Sequence, residues 1–415
     1  MAQYNFEGDL SNISERQLEF INKVVLEQEL NASKVVFHPV GKAGDNFVAN
    51  IKRIHIEGEH DTLKLIIKIA PTNEIARQTT NTGIMFNNET VMYTEVLPKF
   101  VSLQIAAGVP EEEQLRFAKC YGTLTEQPNE VIILEDLNES GYTMLDKFES
   151  LSDDCVKSIL RNFAILHSLS FAMKNKEPEK YDQLKAKLMD VWDVMAAIPQ
   201  FEMQIANLEN QLIAVVEDEE HKRILKNKMT DMFAVRKKIL KHENQKHLII
   251  QQGDAWTNNI MFKMGEEGPV QSIMIDYQAS NNVSPVVDLL YMILNCTDHE
   301  TRSKNFYNWL DYYHSELDKS LSNFGLKANF IYPKDQLDAD LKRYAKLLFG
   351  LSLLLANVLM RDTTEAAEIL EAMRTAGINE IAESMTTQNL QGETILRLRK
   401  RIVGLIDSFH EFGLL

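Results

Sequence analysis

Cysteine is scarce in this 415-residue chain: Cys120, Cys155 and Cys296 stand far apart, odd in number and with no CxxC spacing. That excludes a cysteine-rich zinc site and a disulfide framework, and fits a reducing compartment. Positive charge is also in deficit. Lys and Arg number 44 against 60 Asp and Glu, for a formal net charge of −16. An acidic surface repels phosphate backbones and anionic lipid, so neither nucleic acid nor a membrane surface is an expected partner. No apolar run reaches the roughly 20 residues that span a bilayer. The longest, Leu347 to Met360, is bounded by Lys346 and Arg361, and reads as a buried core helix. The first residues, MAQYNFEGDLSNISERQ, lack a basic segment followed by an apolar one, so no secretory leader is expected and the predicted location is cytoplasmic. No repeat or low-complexity segment stands out.

What is present is a change of texture along the chain. Residues 11 to 30 have helical spacing (Leu18, Ile21, Val24, Val25), and Ser14 with Gln17 forms a candidate capping box. Alternation in FVANIKRIHI, a turn at Gly58 to Asp61 and the Ile-rich LKLIIKIA predict a β-hairpin closed by Pro71. Helical spacing resumes from about Ile84 to Leu97, through Met85, Glu89, Met92, Tyr93 and Val96. Val131 to Leu134 reads as a short buried strand leading into Glu135, Asp136 and Leu137. From Asp153 the chain is mostly helical, including a charged stretch from Tyr181 to Lys246 and a block from about Ser303 to the end. Short strands and turns interrupt it at 248 to 291. The expected fold class is α+β with two lobes: 1–137, a small β-rich N-terminal lobe with a leading helix, and 138–415, a larger, mostly helical C-terminal lobe. A length of 415 residues suits two cores.

The chemistry is concentrated in LIIQQGDAWTNNIMFKMGEEGPVQSIMIDYQASNNVSPVVDLLY. Asp254 is followed five residues later by Asn259; a predicted hairpin with a Gly265–Gly268 turn ends at Asp276; Asp288 comes twelve residues after that. Phosphoryl transfer asks a protein for a base to orient the attacking hydroxyl and for oxygen ligands to hold magnesium against the phosphates. The spacing therefore marks Asp254 as catalytic base and Asn259 and Asp276 as Mg2+ ligands. Asp-x4-Asn alone is common; the two signals in order, joined by a hairpin, are much more specific. Trp256 reads as a packing anchor, and Asp288 as a structural residue that holds the loop by hydrogen bonds. In the first lobe Lys68 is the one charge in IIKIA, so it is either an edge residue facing solvent or the lysine that meets the α- and β-phosphates of ATP. Glu89, on the helix that follows, is its expected partner. Glu135 to Leu137 would cross between the lobes, with backbone groups at Glu135 and Leu137 near the adenine. The turn Gly44-Asp45-Asn46 is a weak candidate to cover the phosphates.

In this ordered set (GDNFVANI, IIKIAP, FNNETVMY, VIILEDLNESGY, ILHSLS, GDAWTNNIMF and IDYQASNNVSPVVDLLY) the chain resembles the ecdysteroid-kinase-like, or CHK kinase-like, family of the choline kinase and aminoglycoside phosphotransferase superfamily. The resemblance runs from about Gly41 to Leu294. It implies a protein-kinase-like two-lobe fold. It also implies ATP- and Mg2+-dependent phosphorylation of a hydroxyl on a small molecule: an ecdysteroid-like steroid or a xenobiotic first, a choline-like amino alcohol next. It carries the family's lysine to Lys68, its helix glutamate to Glu89, its base to Asp254 and its metal ligands to Asn259 and Asp276. Two positions depart from the pattern: Gln252 replaces a histidine, and Ala49 a Ser or Thr of the phosphate loop. They motivate a second reading, a catalytically weak pseudokinase or small-molecule binding protein on the same fold. A small-molecule acceptor is favoured because no DFG, activation loop or APE follows Asp276; Tyr277 and Gln278 do, and Pro285 and Asp288 come quickly. The aromatic stretch Phe306 to Leu317 reads as core rather than pocket.

Overall fold

The structure, a computed structural model, describes residues 4–30, 32, 34–41, 49–59, 61–197, 201–265, 270–375, 384, 386, 387 and 390–415. The turn Gly44-Asp45-Asn46 lies outside the described residues, as do positions 266 to 268 of the second expected turn.

The N-terminal part is a six-stranded sheet in the order β1-β2-β3-β4-β6-β5. Its strands are β1 (Phe6–Gly8), β2 (Lys34–Pro39), β3 (Asn50–Glu57), β4 (Thr62–Ile69), β5 (Cys120–Leu124) and β6 (Val131–Glu135). β1 runs parallel to β2; the other pairs are antiparallel. The predicted hairpin is β3–β4, and the predicted buried strand is β6, in contact with β4 on one side and β5 on the other. β1, β2 and β5, which the sequence pattern did not disclose, complete the sheet.

Strand alternation sorts this sheet into two faces. Ile54 and Ile56 of β3, Leu65, Ile67 and Ile69 of β4, and Val131 and Ile133 of β6 pack with Ile21, Val24 and Val25 of helix α1 (Glu15–Leu26) into a core of their own. α1 begins as expected, with the Ser14–Gln17 capping box formed. Ile132 and Leu134 face the other way, into the large core shared with the helices. A strand buried on both faces reads as a continuous apolar run. Lys68 falls on that second face of β4, where it is 5% exposed. It is thus neither at a sheet edge nor in solvent.

After β4 come α2 (Glu74–Thr80) and one long helix in three parts: α3 (Thr82–Val91), a π-helical turn (Met92–Val96) and α4 (Leu97–Ala106). Pro98 lies just beyond the wide turn. Having no N–H, it cannot complete the regular ladder there, and a π-turn absorbs the misfit.

The C-terminal part is built on α5 (Asp153–Lys176), which packs against α12 (His299–Ser322). Between them lie α6 (Pro178–Lys185), α7 (Val191–Ala196), α8 (Phe201–Val215), α9 (Glu219–Leu225), α10 (Met232–Lys241) and α11 (Pro285–Cys296). The stretch 181 to 246, expected to be long and helical, is thus divided among short helices. Asp190 and Asp218 start new helices by accepting the Trp192 and His221 backbone N–H groups, and Asn227 sits at a left-handed φ of 64°. α13 (Ala328–Ile331), α14 (Lys334–Leu359), α15 (Thr363–Thr375) and α16 (Gly392–Glu411) follow. The apolar run 347 to 360 lies mostly in α14, as a core helix. Among the described residues no single helix is long and apolar enough to cross a membrane. Phe306, Trp309 and Tyr313 are buried in the core, whereas Tyr307 is exposed.

Two small ladders frame the loop that begins at Gln251. β7 (Ile249–Ile250) pairs with β10 (Asn282–Val283), and β8 (Ile260–Lys263) with β9 (Gln271–Met274) as the second expected hairpin. The fold class is α+β, a small sheet-based lobe and a larger helical one.

Candidate active site

The loop from Gln251 to Asn259 is fixed before it does anything. Gly253 has a φ of 91°, and a Cβ there would stand 2.4 Å from the Ala279 carbonyl oxygen. Only glycine allows this turn. Asp288, fully buried on α11, accepts the Gln252 N–H on Oδ2 and the Gly253 N–H on Oδ1, both at 2.9 Å. His167 of α5 meets Oδ2 at 3.1 Å through Nε2, and its Nδ1 lies 2.8 Å from the Tyr313 hydroxyl. Asp288 is therefore the structural residue expected of it. His167 is the support that the sequence showed only as a polar residue on an apolar helix face. Trp256 is buried as a packing anchor.

Gln252, in the position where a histidine was expected, makes a full set of side-chain bonds. Its Nε2 donates to the Ile275 and Asp276 carbonyls at 2.9 Å each, and its Oε1 accepts the Asp254 N–H at 2.6 Å. One amide thus ties the end of the hairpin to the loop.

Asp254 is half-buried. Tyr291 donates its hydroxyl to Oδ1 at 2.6 Å; Asn259 Nδ2 reaches Oδ2 at 3.0 Å and the Asp254 carbonyl at 2.9 Å; Gln278 Nε2 lies 3.3 Å from Oδ2. Loss of solvent, and then repulsion from Asp276, push the Asp254 carboxyl up to about 7, against the pull of Tyr291, Gln278 and Lys68. Tyr291 and Gln278 were not foreseen: Tyr291 is one aromatic in the apolar run DLLYMIL, and nothing in the spacing separates it from core.

Across from the loop, Lys68 Nζ contacts Glu89 Oε2 and lies 2.8 Å from Asp276 Oδ1. Asp276 has a φ of 60°, a left-handed conformation that Asp tolerates better than most residues, and it turns off the hairpin there. Burial pulls the ammonium down, but Asp276 and Glu89 outweigh it and raise Lys68 above its ordinary range, so it stays charged. Burial lifts Glu89 above the ordinary carboxylate range despite Lys68. Its second oxygen, Oε1, is buried with no hydrogen-bond partner. Asn88, beside it on α3, donates to the Gln278 and Met189 carbonyls at 3.1 and 2.8 Å, tethering the glutamate's helix to the segment after Asp276.

These groups border a cleft between sheet and hairpin with a cavity volume of about 110 Å3. Ile51, Ile66 and Ala118 form apolar wall on one side, Met261 and Ile275 on the other; Lys68, Glu89, Asn259 and Asp276 line the charged end, and Glu135, Asp136 and Leu137 lie along it as well. Asp136 is buried and held by Arg53, whose Nη2 is 3.3 Å from Oδ1, so the crossing segment is braced by an ion pair. The Glu135 side chain accepts the Lys119 N–H and the Ser140 hydroxyl, each at 3.2 Å.

Asn259 turns its amide nitrogen to Asp254, which leaves its carbonyl oxygen for a cation. With the Asp276 carboxylate this gives a hard-oxygen donor pair, the chemistry Mg2+ selects. No cluster of three or more His, Cys, Asp or Glu ligands occurs among the described residues. Magnesium keeps several waters and takes phosphate oxygens, so two protein ligands are enough. Every sequence-predicted site residue except those of the phosphate turn is thus found on this cleft or, for Asp254, one hydrogen bond from it.

A model of the ecdysteroid kinase-like family matches residues 43–326, more than half of the chain. No curated protein sequence matches. Among solved structures, the chain is similar to an ethanolamine kinase of Plasmodium vivax at 14% identity and TM-score 0.43, covering 91% of this chain and 89% of that one. It is similar to a spectinomycin phosphotransferase solved with ADP and spectinomycin at 11% identity and TM-score 0.42, covering 89% and 93%. It is also similar to an aminoglycoside 2'-phosphotransferase solved with GDP at 11% identity and TM-score 0.41, covering 93% and 99%.

Proposed function

The chain belongs to the ecdysteroid kinase-like family, and from that premise we propose that it is an ATP- and Mg2+-dependent phosphotransferase acting on a hydroxyl of a small molecule, an ecdysteroid-like steroid or a xenobiotic. The observation that carries this is the single charged cluster in which Lys68 bridges Glu89 and Asp276 while Asn259 holds Asp254. In this reading residues 1–137 form the nucleotide-binding lobe and 138–415 the catalytic and acceptor lobe.

The residues divide the work. Glu135 to Leu137 border the adenine, with apolar wall from Ile51 to Met261 around the base. Lys68, kept charged and held in place by Glu89, meets the α- and β-phosphates. Asn259 and Asp276 would hold Mg2+, which when bound offsets charge on the phosphates. Asp254 takes the acceptor's hydroxyl proton while that oxygen bonds the terminal phosphorus of ATP and the bond to the departing ADP breaks. A carboxyl that releases its proton near 7 is a stronger base than an ordinary aspartate, which suits this role at neutral pH.

The reading of a catalytically weak binding protein rests on Gln252 and Ala49. The bonds from Gln252 to Ile275, Asp276 and Asp254 favour the active reading, because the loop is supported without the histidine. Titration of the native chain with Mg2+–ADP, followed by an ATP-consumption screen over steroids, phenolic glucosides and amino alcohols with product mass checked for one added phosphate, tests it. Magnesium-dependent nucleotide binding and a phosphorylated product are expected; absence of nucleotide binding would remove the reading.

A further inference from the structure

The helix that carries Glu89 lies beside the sheet but is fastened to the other lobe. Asn88 on α3 is fully buried and bonds to the main chain of the helical lobe at three points. Its Nδ2 donates to the Met189 and Gln278 carbonyls at 2.8 and 3.1 Å, and its Oδ1 accepts the Met189 N–H at 2.9 Å. Asn87 Nδ2 donates to the Lys187 carbonyl at 3.0 Å, and Lys187 Nζ lies 2.7 Å from each Glu95 oxygen. Farther along, Lys99 Nζ is 2.7 Å from Glu177, at the end of α5. The apolar side chains agree. Phe86, Val91, Met92, Val96, Leu97 and Phe100 belong to the large core, and no residue of α3 or α4 belongs to the core that the sheet forms with α1.

The sheet is joined to this helix more loosely. Among the described residues the one polar side-chain tie between α3 and a strand is Lys68 to Glu89. Ile132 and Leu134 add apolar contact from the second face of the sheet. Apolar contact has no preferred direction, so surfaces joined in that way can slide. The chain turns between the two bodies at Asn81, which ends α2 and begins α3 at a left-handed φ of 51°. Before it, Arg77 of α2 is held 2.8 Å from Glu130, next to β6, while α15 of the helical lobe packs on α2 as well. α2 thus touches both bodies, as a fulcrum does, and hinges of this kind sit at the ends of elements.

We propose that Asn88 is a positioning residue that makes the glutamate's helix part of the helical lobe, so that the body which closes on the nucleotide is the sheet with α1, and it carries Lys68 onto a Glu89–Asp276 pair already in place. This rests on the phosphotransferase reading above. The bond from Asn88 to the Gln278 carbonyl fixes the two acids relative to each other, because Asn88 precedes Glu89 and Gln278 stands two residues beyond Asp276. Lys68 is the group that must travel, and its contacts with both acids mark the closed position.

Electron–electron distance measurements test this on the full chain. Nitroxides are attached to encoded p-acetylphenylalanine, which leaves Cys120, Cys155 and Cys296 untouched. The label sites are exposed: Thr62 in the sheet, Thr94 on the glutamate's helix and Lys304 in the helical lobe. Without nucleotide, the Thr94–Lys304 distribution is expected to be narrow and the Thr62–Thr94 one broader. With Mg2+–ADP, the Thr62–Thr94 distance should shift by more than about 2 Å, the scale of a domain rearrangement, while Thr94–Lys304 stays. Asn88→Ala should broaden Thr94–Lys304 and weaken Mg2+–ADP binding about tenfold, the scale of one good hydrogen bond. If that variant does not fold, Asn87→Ala combined with Lys187→Met removes the surface ties alone and should broaden the same distribution to a lesser degree. A Thr94–Lys304 distribution broader than Thr62–Thr94 in the native chain would overturn the proposal. So would a Thr94–Lys304 distance that moves with nucleotide, a Thr62–Thr94 distance that does not, or a folded Asn88→Ala whose only change is a lower melting temperature. The nucleotide-free distributions decide the matter even if Mg2+–ADP fails to bind, an outcome that counts against the phosphotransferase reading instead.

Discussion

The cleft and the pocket among α10, α11 and α14 are linked through Asp254, which bonds Asn259 of the first and Tyr291 of the second, and they are built on different principles. In the cleft, charge is set against charge: Lys68 lies between two carboxylates, and Asp254 is gripped by three donors. In the pocket the polar groups sit to one side of an apolar wall, and one acceptor, Gln251 Oε1, has no donor. Adjacent glutamines mark the divide. Gln252 faces the hairpin and completes its bonds within the chain; Gln251 faces Asn281 and does not. Each region keeps one buried acceptor without a donor, the charged Glu89 Oε1 in the cleft and the neutral Gln251 Oε1 in the pocket.

Variants can break this contrast or make it sharper. Asp254→Asn strikes the junction. It should lower turnover by roughly 10²- to 10⁴-fold, the span of general-base effects, while Mg2+–ADP affinity and melting temperature hold. Unchanged product formation in a single-turnover assay would show that the base lies elsewhere. Lys68→Met strikes the cleft alone. It leaves Glu89 and Asp276 facing each other without their cation, a loss of about 3 to 5 kcal/mol for a broken buried pair, read by urea denaturation. Adding Glu89→Gln should recover part of that stability but not ADP binding. An unchanged urea midpoint in Lys68→Met would show that the buried pairs with Glu89 and Asp276 are not felt.

Gln252→His is a smaller perturbation on the cleft side. The imidazole has too few donors to serve both the Ile275 and Asp276 carbonyls, so a loss of about 1 kcal/mol is expected, with no gain in turnover. Turnover appearing only in this variant would revive the weakly active reading. The smallest effect concerns the sheet and neither ligand region. Hydrogen bonds from Lys52 and then Ser11 hold Asp9 down to about 2, from an ordinary 3.8. A carboxyl lowered on folding contributes stability that is complete above the unfolded value and vanishes as pH falls through the folded one. Urea midpoints should therefore drop between pH 4 and 2 in the native chain and less steeply in Asp9→Asn, with Mg2+–ADP affinity at neutral pH unaffected. Equal slopes would show that the Lys52 pair is not felt.

The same contrast explains what could be read from sequence. Asp254, Asn259 and Asp276 were legible because phosphoryl chemistry needs those side chains at constrained places around a hairpin. Lys68 stood out as a charge in an apolar strand, and β3, β4 and β6 by alternation and β-branching. β1 is three residues long, and β2 ends at Pro39, so neither carries enough pattern to be seen. The helix breaks at Asp190, Asp218 and Asn227 are made by side-chain caps and one left-handed residue inside a uniformly charged stretch. A pocket walled by the helical blocks 172–246 and 300–415 was expected, but its residues could not be named: the walls are drawn from Asp190 to Leu351, and leucine, methionine and phenylalanine look the same whether they fill a core or line a cavity. Tyr291 was hidden in the same way.

The wide turn at Met92–Val96 has a consequence for how this chain can vary in length. It lies between Glu89 and the part of the helix that begins at Leu97. A helix advances about 100° per residue, so deleting one position from that turn swings the glutamate about a quarter of a circle relative to everything downstream. A point change at Thr94, an exposed position within the turn, leaves the phase intact. Insertions and deletions, far more than substitutions, are the changes this segment cannot absorb while Lys68 keeps its partner.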